Sequence, residues 1–373
     1  MNRRGFLRKV VGCGGVLLAW PLLGGCTGAT SVPRASTGTP AGRATAEAEA
    51  TSESTARPSP TAQPAQPIAE KKATAQVVLV KTGDRVAGIQ KAVDLYGLDG
   101  IQGKELSLKP NLNSADPFPG STHNDTLRVL VQRLQGAGAG RITVGDRSGM
   151  GDTRRVMEQK GVLSLADALG FETLVFDELE ADDWEAVQVP GSHWARGFAL
   201  PRPVLEADGI VQTCCLKTHR FGGHFTLSLK NSVGFAAKWV PGEGYNYMSE
   251  LHSSPHQRIM IAEINAAYVP DLIVLDGVEA FVNGGPDKGK QVPAEAILVG
   301  RDRVAIDAVG VAILRHWGTT AAVSQGPVFQ QEQIARAVEL GLGVGGPEEI
   351  ELVTDDPDSR AYADQIEQVL LQG

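Results

Sequence analysis

Lysine and histidine side chains stand close together after one of the short apolar runs of this sequence. Lys217 and His219 are separated by a single residue, so their side chains face the same side of an extended backbone. An ammonium group neutralises an anion, and an imidazole donates or accepts a proton near neutral pH. We therefore predict that Lys217 and His219 form a catalytic pair that acts on a small anionic molecule. The alternative is an ordinary surface loop.

Polar residues also follow other apolar runs. Asn111 stands two residues after Lys109, and Asp146 and Asp276 each follow a run of their own. Because the carboxyl ends of parallel strands form the ligand-binding edge of an open α/β sheet, we expect these residues to share one site. The lysines would hold a phosphate or a carboxylate, although Lys230 could instead be an ordinary helix residue. The predicted ligand-binding residues are Lys109, Asn111, Lys230 and Asn231.

Four histidines fall between residues 219 and 256, close to acidic residues, a combination that can bind a divalent metal. Polar loop histidines are the alternative. The segment from Ser254 to Gln257 is typical of a helix start, which predicts a helix over 254–268 with His256 in its first turn. Glu263 lies two turns further along, and we expect it to be solvated. The predicted metal ligands are Asp146, Asp276, His219 and His256.

The elements that must position these side chains form an alternating series. From Gln76 onward, short apolar runs alternate with helical periodicity, which predicts an α/β fold with a mostly parallel sheet, helices on both faces and one principal domain over 76–373. The predicted strands are 76–80, 105–108, 141–144, 173–176, 209–212, 271–275 and 296–299. The predicted helices are 85–96, 126–134, 154–169, 254–268 and 304–317. Residues 218–253 are glycine-rich with little periodicity, which favours a functional loop.

The first 25 residues resemble a twin-arginine signal peptide that ends in a lipobox. Arg3 and Arg4 precede an apolar stretch that is shorter than the ~20 residues of a membrane-spanning helix, and Cys26 follows it. The resemblance implies export by the twin-arginine route and a lipid on Cys26 that anchors the protein on the extracytoplasmic side. An uncleaved membrane anchor is the alternative. Residues 26–75, rich in Ala, Thr, Ser and Pro, are predicted to be a disordered tether.

The composition excludes several classes of protein. The chain has 373 residues, of which 42% are hydrophobic and 21% charged, with a net charge of −8. A general nucleic-acid binder would need a basic surface, so we expect no nucleic-acid partner. Four cysteines are too few for a disulfide scaffold in a chain of this length. The adjacent Cys214 and Cys215 are predicted to be buried thiols that pack as small apolar groups.

Six short motifs follow one another along the chain: Lys109-Pro110-Asn111, Gly145-Asp146, Leu216-Lys217-Thr218-His219, Leu229-Lys230-Asn231, Asp276-Gly277 and Val304-Ala305-Ile306-Asp307. With these motifs in this order, the sequence over roughly residues 76–320 resembles the domain of unknown function 362 family, which has no settled activity to carry over. Many members include a ferredoxin-like domain, but this chain lacks its Cys-x2-Cys spacing, so we expect no iron–sulfur cluster here. The family is distantly similar to the N-terminal domain of lactate racemase, where a lysine and histidines hold a nickel-pincer nucleotide. The resemblance therefore implies a divalent metal or a nucleotide-like cofactor.

Three functions are compatible with these features. The first is an enzyme or cofactor-binding protein that acts on a small anion at the carboxyl edge of the sheet. The second is a solute-binding lipoprotein without catalysis. The third is an accessory protein for an iron–sulfur redox partner, which the ferredoxin-bearing relatives suggest. The expected partners are a membrane, reached through the lipid on Cys26, a small anionic molecule and a redox protein.

Overall fold

The computed structural model describes residues 75–372. The predicted signal peptide, the lipidation site at Cys26 and nearly all of the predicted tether lie outside the described residues. Within 75–372, no helix has both the length and the apolar character that crossing a bilayer requires.

Strands and helices alternate along most of the described chain. The strands are β1 (Ala75–Lys81), β2 (Leu106–Lys109), β3 (Ile142–Asp146), β4 (Glu172–Val175), β5 (Trp184–Val187), β6 (Phe198–Pro201), β7 (Gly209–His219), β8 (His224–Thr226), β9 (Leu272–Gly284), β10 (Gly289–Val292), β11 (Ala296–Gly300) and β12 (Ile350–Val353). The helices are α1 (Arg85–Tyr96), α2 (Asn124–Gly136), α3 (Thr153–Gln159), α4 (Val162–Leu169), α5 (Arg202–Leu205), α6 (Ser228–Asn231), α7 (Tyr247–Ser253), α8 (Gln257–Ile264), α9 (Arg303–His316), α10 (Ala321–Ser324), α11 (Glu332–Glu339) and α12 (Pro357–Gln372).

Eight strands form a continuous sheet in the order β12-β1-β11-β9-β7-β2-β3-β4. All neighbours along this path are parallel except the two pairs that involve β11, which runs opposite to β1 and β9. Strands β8 and β10 extend the sheet as antiparallel partners of β7 and β9. The predicted α/β fold with a mostly parallel sheet is confirmed.

Alternate residues of the central strands point into two separate cores. Val77 and Leu79 of β1 belong to the core that contains α9 and α12. Val78 and Val80 of the same strand belong to the core that contains α1 and α2. Because successive side chains of a strand point to opposite faces, this division shows that helices cover both faces of the sheet, as predicted.

Several element boundaries differ from the prediction. Strands β7 and β9 continue to His219 and Gly284, well beyond the predicted ends at 212 and 275. The predicted 218–253 loop contains β8, α6 and α7. Helix α8 begins at Gln257 with His256 as its N-cap residue and ends at Ile264, so the prediction of 254–268 was wrong at both ends.

The cause of the late helix start is local. The Ser254 hydroxyl accepts the His256 N–H at 3.0 Å, and the Ser254 carbonyl accepts the Gln257 N–H at 3.3 Å. These two bonds close a turn around Pro255 before the helix begins. His256 therefore precedes the first helical turn instead of lying within it.

Candidate functional site

A cavity of about 210 Å³ opens at the carboxyl ends of β2, β3 and β7. This volume lies below the ~300–1,000 Å³ of pockets that bind drug-sized ligands, so the cavity suits a small molecule. Half of its lining comes from the glycine-rich 218–253 segment. The predicted site residues that line it are Lys109, Asn111, Asp146, Lys217, His219, Lys230 and Asn231.

A buried ion pair forms one wall of the cavity. Lys109 Nζ lies 2.7 Å from Asp146 Oδ1, and it also donates to the Pro110 carbonyl at 2.7 Å. The second Asp146 oxygen accepts the Leu112 N–H at 2.7 Å. Burial lowers the pKa of Lys109 and raises the pKa of Asp146, while the opposite charge of each partner counters both shifts. The pair is internally satisfied and ties the ends of β2 and β3 together.

Two further buried lysines face the cavity without a carboxylate partner anywhere in residues 75–372. Lys217 is fully buried and donates to the backbone carbonyls of Gly120 and Pro286. Burial lowers the pKa of Lys217 to about 8. Burial and the nearby charges of Lys217 and Arg147 lower the pKa of Lys230 to about 7. A bound anion would stabilise the ammonium forms of these two lysines.

Two histidines contribute imidazoles to this region. His219 is 7% exposed, and its Nδ1 has no hydrogen-bond partner among the described residues. Burial, with the charges of Lys230 and Lys217, holds the pKa of His219 well below its usual value. At the mouth, His252 Nδ1 lies 2.6 Å from the Met248 carbonyl. Because a carbonyl only accepts, Nδ1 carries the proton and Nε2 of the neutral ring is an acceptor.

The cavity also gathers buried polar atoms that have no partner within the described part of the chain. They belong to the side chains of Asn111, Asn113 and Thr226, in addition to His219. Leaving such an atom unsatisfied costs about 1–3 kcal/mol. Their concentration around one cavity indicates that a bound molecule supplies the missing hydrogen bonds.

Some lining residues were not among the predicted site residues. Arg147 is buried, and its guanidinium donates to the carbonyls of Ala236 at 2.8 Å and Ser148 at 3.2 Å. It directly follows Asp146, and the rule about strand ends places it at the same edge of the sheet. His252, one of the four clustered histidines, and Lys238 come from the 218–253 segment, and only Lys238 had no signal in the sequence.

Two of the predicted metal ligands lie elsewhere. Asp276 binds Arg85 Nε at 2.7 Å and accepts the Thr126 hydroxyl, and His256 packs against His193 with ring centroids 4.7 Å apart. Neither lines the cavity. No group of three His, Cys, Asp or Glu residues within 75–372 is placed to hold a metal ion. The predicted set of four does not fit a metal centre, because Asp276 and His256 lie away from Asp146 and His219.

Glu263 corrects another expectation, since it is fully buried instead of solvated. Its carboxylate accepts the Ser192 hydroxyl at 2.8 Å and lies 2.8 Å from His193 Nδ1. Arg336 contacts the same carboxylate at 3.0 Å. These partners are far from Glu263 in the sequence, so the local pattern around Glu263 gave no sign of the contacts.

Asp307 and the two adjacent cysteines lie beside the cavity. Asp307 of α9 accepts the backbone N–H groups of Ser228 and Leu229 at 2.7 and 3.1 Å, so it caps α6, which carries Lys230. Cys214 and Cys215 are free and fully buried, as predicted. Burial raises the pKa of Cys215 to about 11, which keeps this thiol protonated.

Comparisons with known proteins concern the same part of the chain. The sequence pattern of the domain of unknown function (DUF362) matches residues 107–312, which is more than half of the chain. The chain is 28% identical over 224 residues to the thylakoid-associated protein sll1697 of Synechocystis sp.. This match spans 57% of the chain and 64% of the length of the relative.

Among solved structures, the lactate racemase apoprotein from Thermoanaerobacterium thermosaccharolyticum matches with a TM-score of 0.36 and 14% sequence identity. The match covers 58% of this chain and 52% of that one. A likeness at this level supports no inference about cofactor or substrate. The family match includes every predicted cavity residue from Lys109 to Asn231, and on this basis the chain belongs to the DUF362 family.

Proposed function

We propose that this protein binds a small anionic molecule in the cavity at the carboxyl edge of the sheet and transfers a proton to or from it. One observation carries the proposal. Lys217 and Lys230 line the cavity without an ion-pair partner in residues 75–372, while its single lining carboxylate, Asp146, is already paired with Lys109. Buried charge without a partner is costly, so it is retained where a ligand compensates it.

The chemistry of the lining residues supports acid–base work on such a ligand. The Lys217 ammonium would stabilise a carboxylate or phosphate group. The neutral imidazole of His219 would accept a proton from the ligand and return it. The buried Oδ1 of Asn111, which has no partner within the described residues, would accept a hydrogen bond from a ligand hydroxyl. The Thr226 hydroxyl, equally without a partner there, would donate to a ligand oxygen.

Anion binding tests the proposal directly. Oxalate and inorganic phosphate should each raise the thermal unfolding temperature of the exported protein, measured by differential scanning fluorimetry at low salt. Lys217→Met should abolish the shift, and Lys290→Met should preserve it because Lys290 is exposed on β10. Loss of the shift in both variants, or its persistence in Lys217→Met, would count against the proposal.

We further propose that the protein is exported by the twin-arginine route and held at the membrane by a lipid on Cys26, with the domain on the extracytoplasmic side. The order of Arg3, Arg4, the apolar stretch and Cys26 supports this location. Radiolabelled palmitate should be incorporated into the wild-type protein and not into Cys26→Ser. Equal labelling of both would overturn the assignment. The redox-partner hypothesis stays a prediction.

A further inference from the structure

Lys230 differs from the other buried lysines of the cavity. Lys109 is paired with Asp146, and Lys217 donates to two backbone carbonyls. Lys230 is 8% exposed, and within residues 75–372 its Nζ makes no ion pair and no hydrogen bond. The amine therefore faces the cavity, and no group of residues 75–372 is bonded to it that would hold it as an ammonium.

The surroundings of Lys230 favour the neutral amine. Burial, together with the positive charges of Lys217 and Arg147, lowers the pKa of Lys230 to about 7. The unprotonated amine is therefore accessible near neutral pH. A lysine that is desolvated beside another cation is the kind of amine that attacks carbonyl carbons.

A proton-transfer group stands next to this amine. A Cβ built on Gly223 would lie 2.5 Å from Lys230 Cε and 3.0 Å from His219 Nδ1, so both side chains flank the same glycine. The Nδ1 atom of His219 is buried and has no partner among the described residues. The cavity thus combines an amine, an imidazole and the separate ammonium of Lys217.

We propose that the ligand is a small oxo acid, whose carboxylate pairs with Lys217 while its carbonyl carbon forms an imine with the Lys230 amine. This inference rests on the proposed anion site and names its substrate class. The new bond joins Lys230 Nζ to the carbonyl carbon, and the carbon–oxygen bond breaks. The oxygen leaves as water with the two amine protons, one of which His219 carries across to the departing hydroxyl. No oxidant, reductant or metal enters the balance.

Reductive trapping tests the imine. The exported protein is incubated with pyruvate and then with sodium borohydride, which converts an imine into a stable secondary amine, and the adduct is located by peptide mass spectrometry. We expect one adduct per chain, on Lys230. Lys230→Arg should lose it at least tenfold while retaining the positive charge, and Lys290→Arg should retain it. An adduct spread over exposed lysines would overturn the inference.

The proposed imine and the proposed anion site can be tested separately. Pyruvate and oxalate each carry a carboxylate that can pair with Lys217, but oxalate has no ketone carbon for the amine to attack. If both raise the unfolding temperature and pyruvate leaves no adduct on Lys230, the imine is overturned and the anion site stands. If neither changes the unfolding temperature, the proposed function is overturned as well.

Discussion

The Lys109 ammonium and the Asp146 carboxylate lie 2.7 Å apart at the carboxyl ends of two neighbouring parallel strands, with side chains only 1% and 2% exposed. Among residues 75–372, Asp146 is the only carboxylate that lines the cavity, and its pairing with Lys109 leaves Lys217 and Lys230 without an ion-pair partner. The cavity is therefore electropositive, because the negative charge of Asp146 is paired with Lys109 in its wall. The ion pair of Lys109 and Asp146 therefore has a structural role, whereas Lys217 and Lys230 are available to a ligand.

Breaking the structural pair should be strongly destabilising. Removing one member of a buried ion pair costs about 3–5 kcal/mol, because the remaining charge stays buried without compensation. Lys109→Met and Asp146→Asn should each lower the free energy of unfolding by an amount in this range, measured by urea denaturation. The double variant should lose less than the sum of the two single losses. Strictly additive losses would show that the two charges do not interact.

The backbone of Gly234 packs directly against this pair. A Cβ at Gly234 would lie 2.4 Å from Asp146 Oδ1 and 2.6 Å from Lys109 Nζ. Gly234→Ala should therefore displace the pair and cost about 1–3 kcal/mol, the usual cost of overpacking. It should also weaken oxalate binding, since Gly234 lines the cavity.

Gly244 provides the matched control for this substitution, because a Cβ there meets no atom within 4 Å. Thermal unfolding and oxalate titration of Gly244→Ala should match the wild type, with a change in stability within about 0.5 kcal/mol. If the two alanine variants behaved alike, the close packing at Gly234 would have no energetic consequence.

Anion binding should be coupled to proton uptake. The pKa values of Lys217 and Lys230 are about 8 and about 7 in the free protein, and an anion raises both because it favours the ammonium forms. Oxalate affinity should thus fall as the pH rises above about 7. Calorimetry in two buffers with different ionisation enthalpies should detect the uptake.

The Lys230→Arg variant distinguishes the proton uptake by Lys230 from the proton uptake by Lys217. A guanidinium stays protonated throughout this pH range, so the variant should take up fewer protons and show a flatter pH profile. An oxalate affinity that is independent of both pH and buffer in the wild type would contradict the predicted coupling.

Much of the site could be predicted from the sequence because parallel strands end at a common edge. Lys109, Asp146 and Lys217 each lie at or near the end of a strand, so finding the strands was enough to bring these residues together. Lys230 was found from its motif, and its position depends on a cap from Asp307, 77 residues further along the chain. The rule about strand ends predicts a site correctly where the course of the backbone alone brings side chains close together.

The wrong predictions concern residues whose surroundings depend on contacts between side chains. Asp276 also follows an apolar run, but β9 continues past it, and Arg85 and Thr126 bind its carboxylate away from the cavity. Glu263 has a polar side chain at a helical position, and contacts from distant parts of the chain explain its burial. They come from Ser192, His193 and Arg336. Periodicity does not encode such long-range pairs, because each partner is ordinary in its own local sequence.

Lys230→Met should stabilise the ligand-free protein near neutral pH. The pKa of Lys230 falls from 10.5 to about 7 on folding, because burial and two nearby cations disfavour the ammonium. Between these values the unfolded chain binds more protons than the folded protein, so the free energy of unfolding rises with pH across this window. Methionine is comparable in length and uncharged, which removes both the penalty and this pH dependence.

The size of the gain follows from the same shift. One pKa unit corresponds to about 1.4 kcal/mol, so at pH 6 Lys230→Met should gain on the order of 2–4 kcal/mol over the wild type in urea unfolding. The gain should shrink toward pH 10, where the wild-type lysine is neutral when folded. Lys290→Met, at an exposed position on β10, should change stability little at either pH. A loss of stability in Lys230→Met at pH 6 would show that groups of the folded protein already compensate the Lys230 ammonium. The cavity would then need no anionic ligand to stabilise this charge.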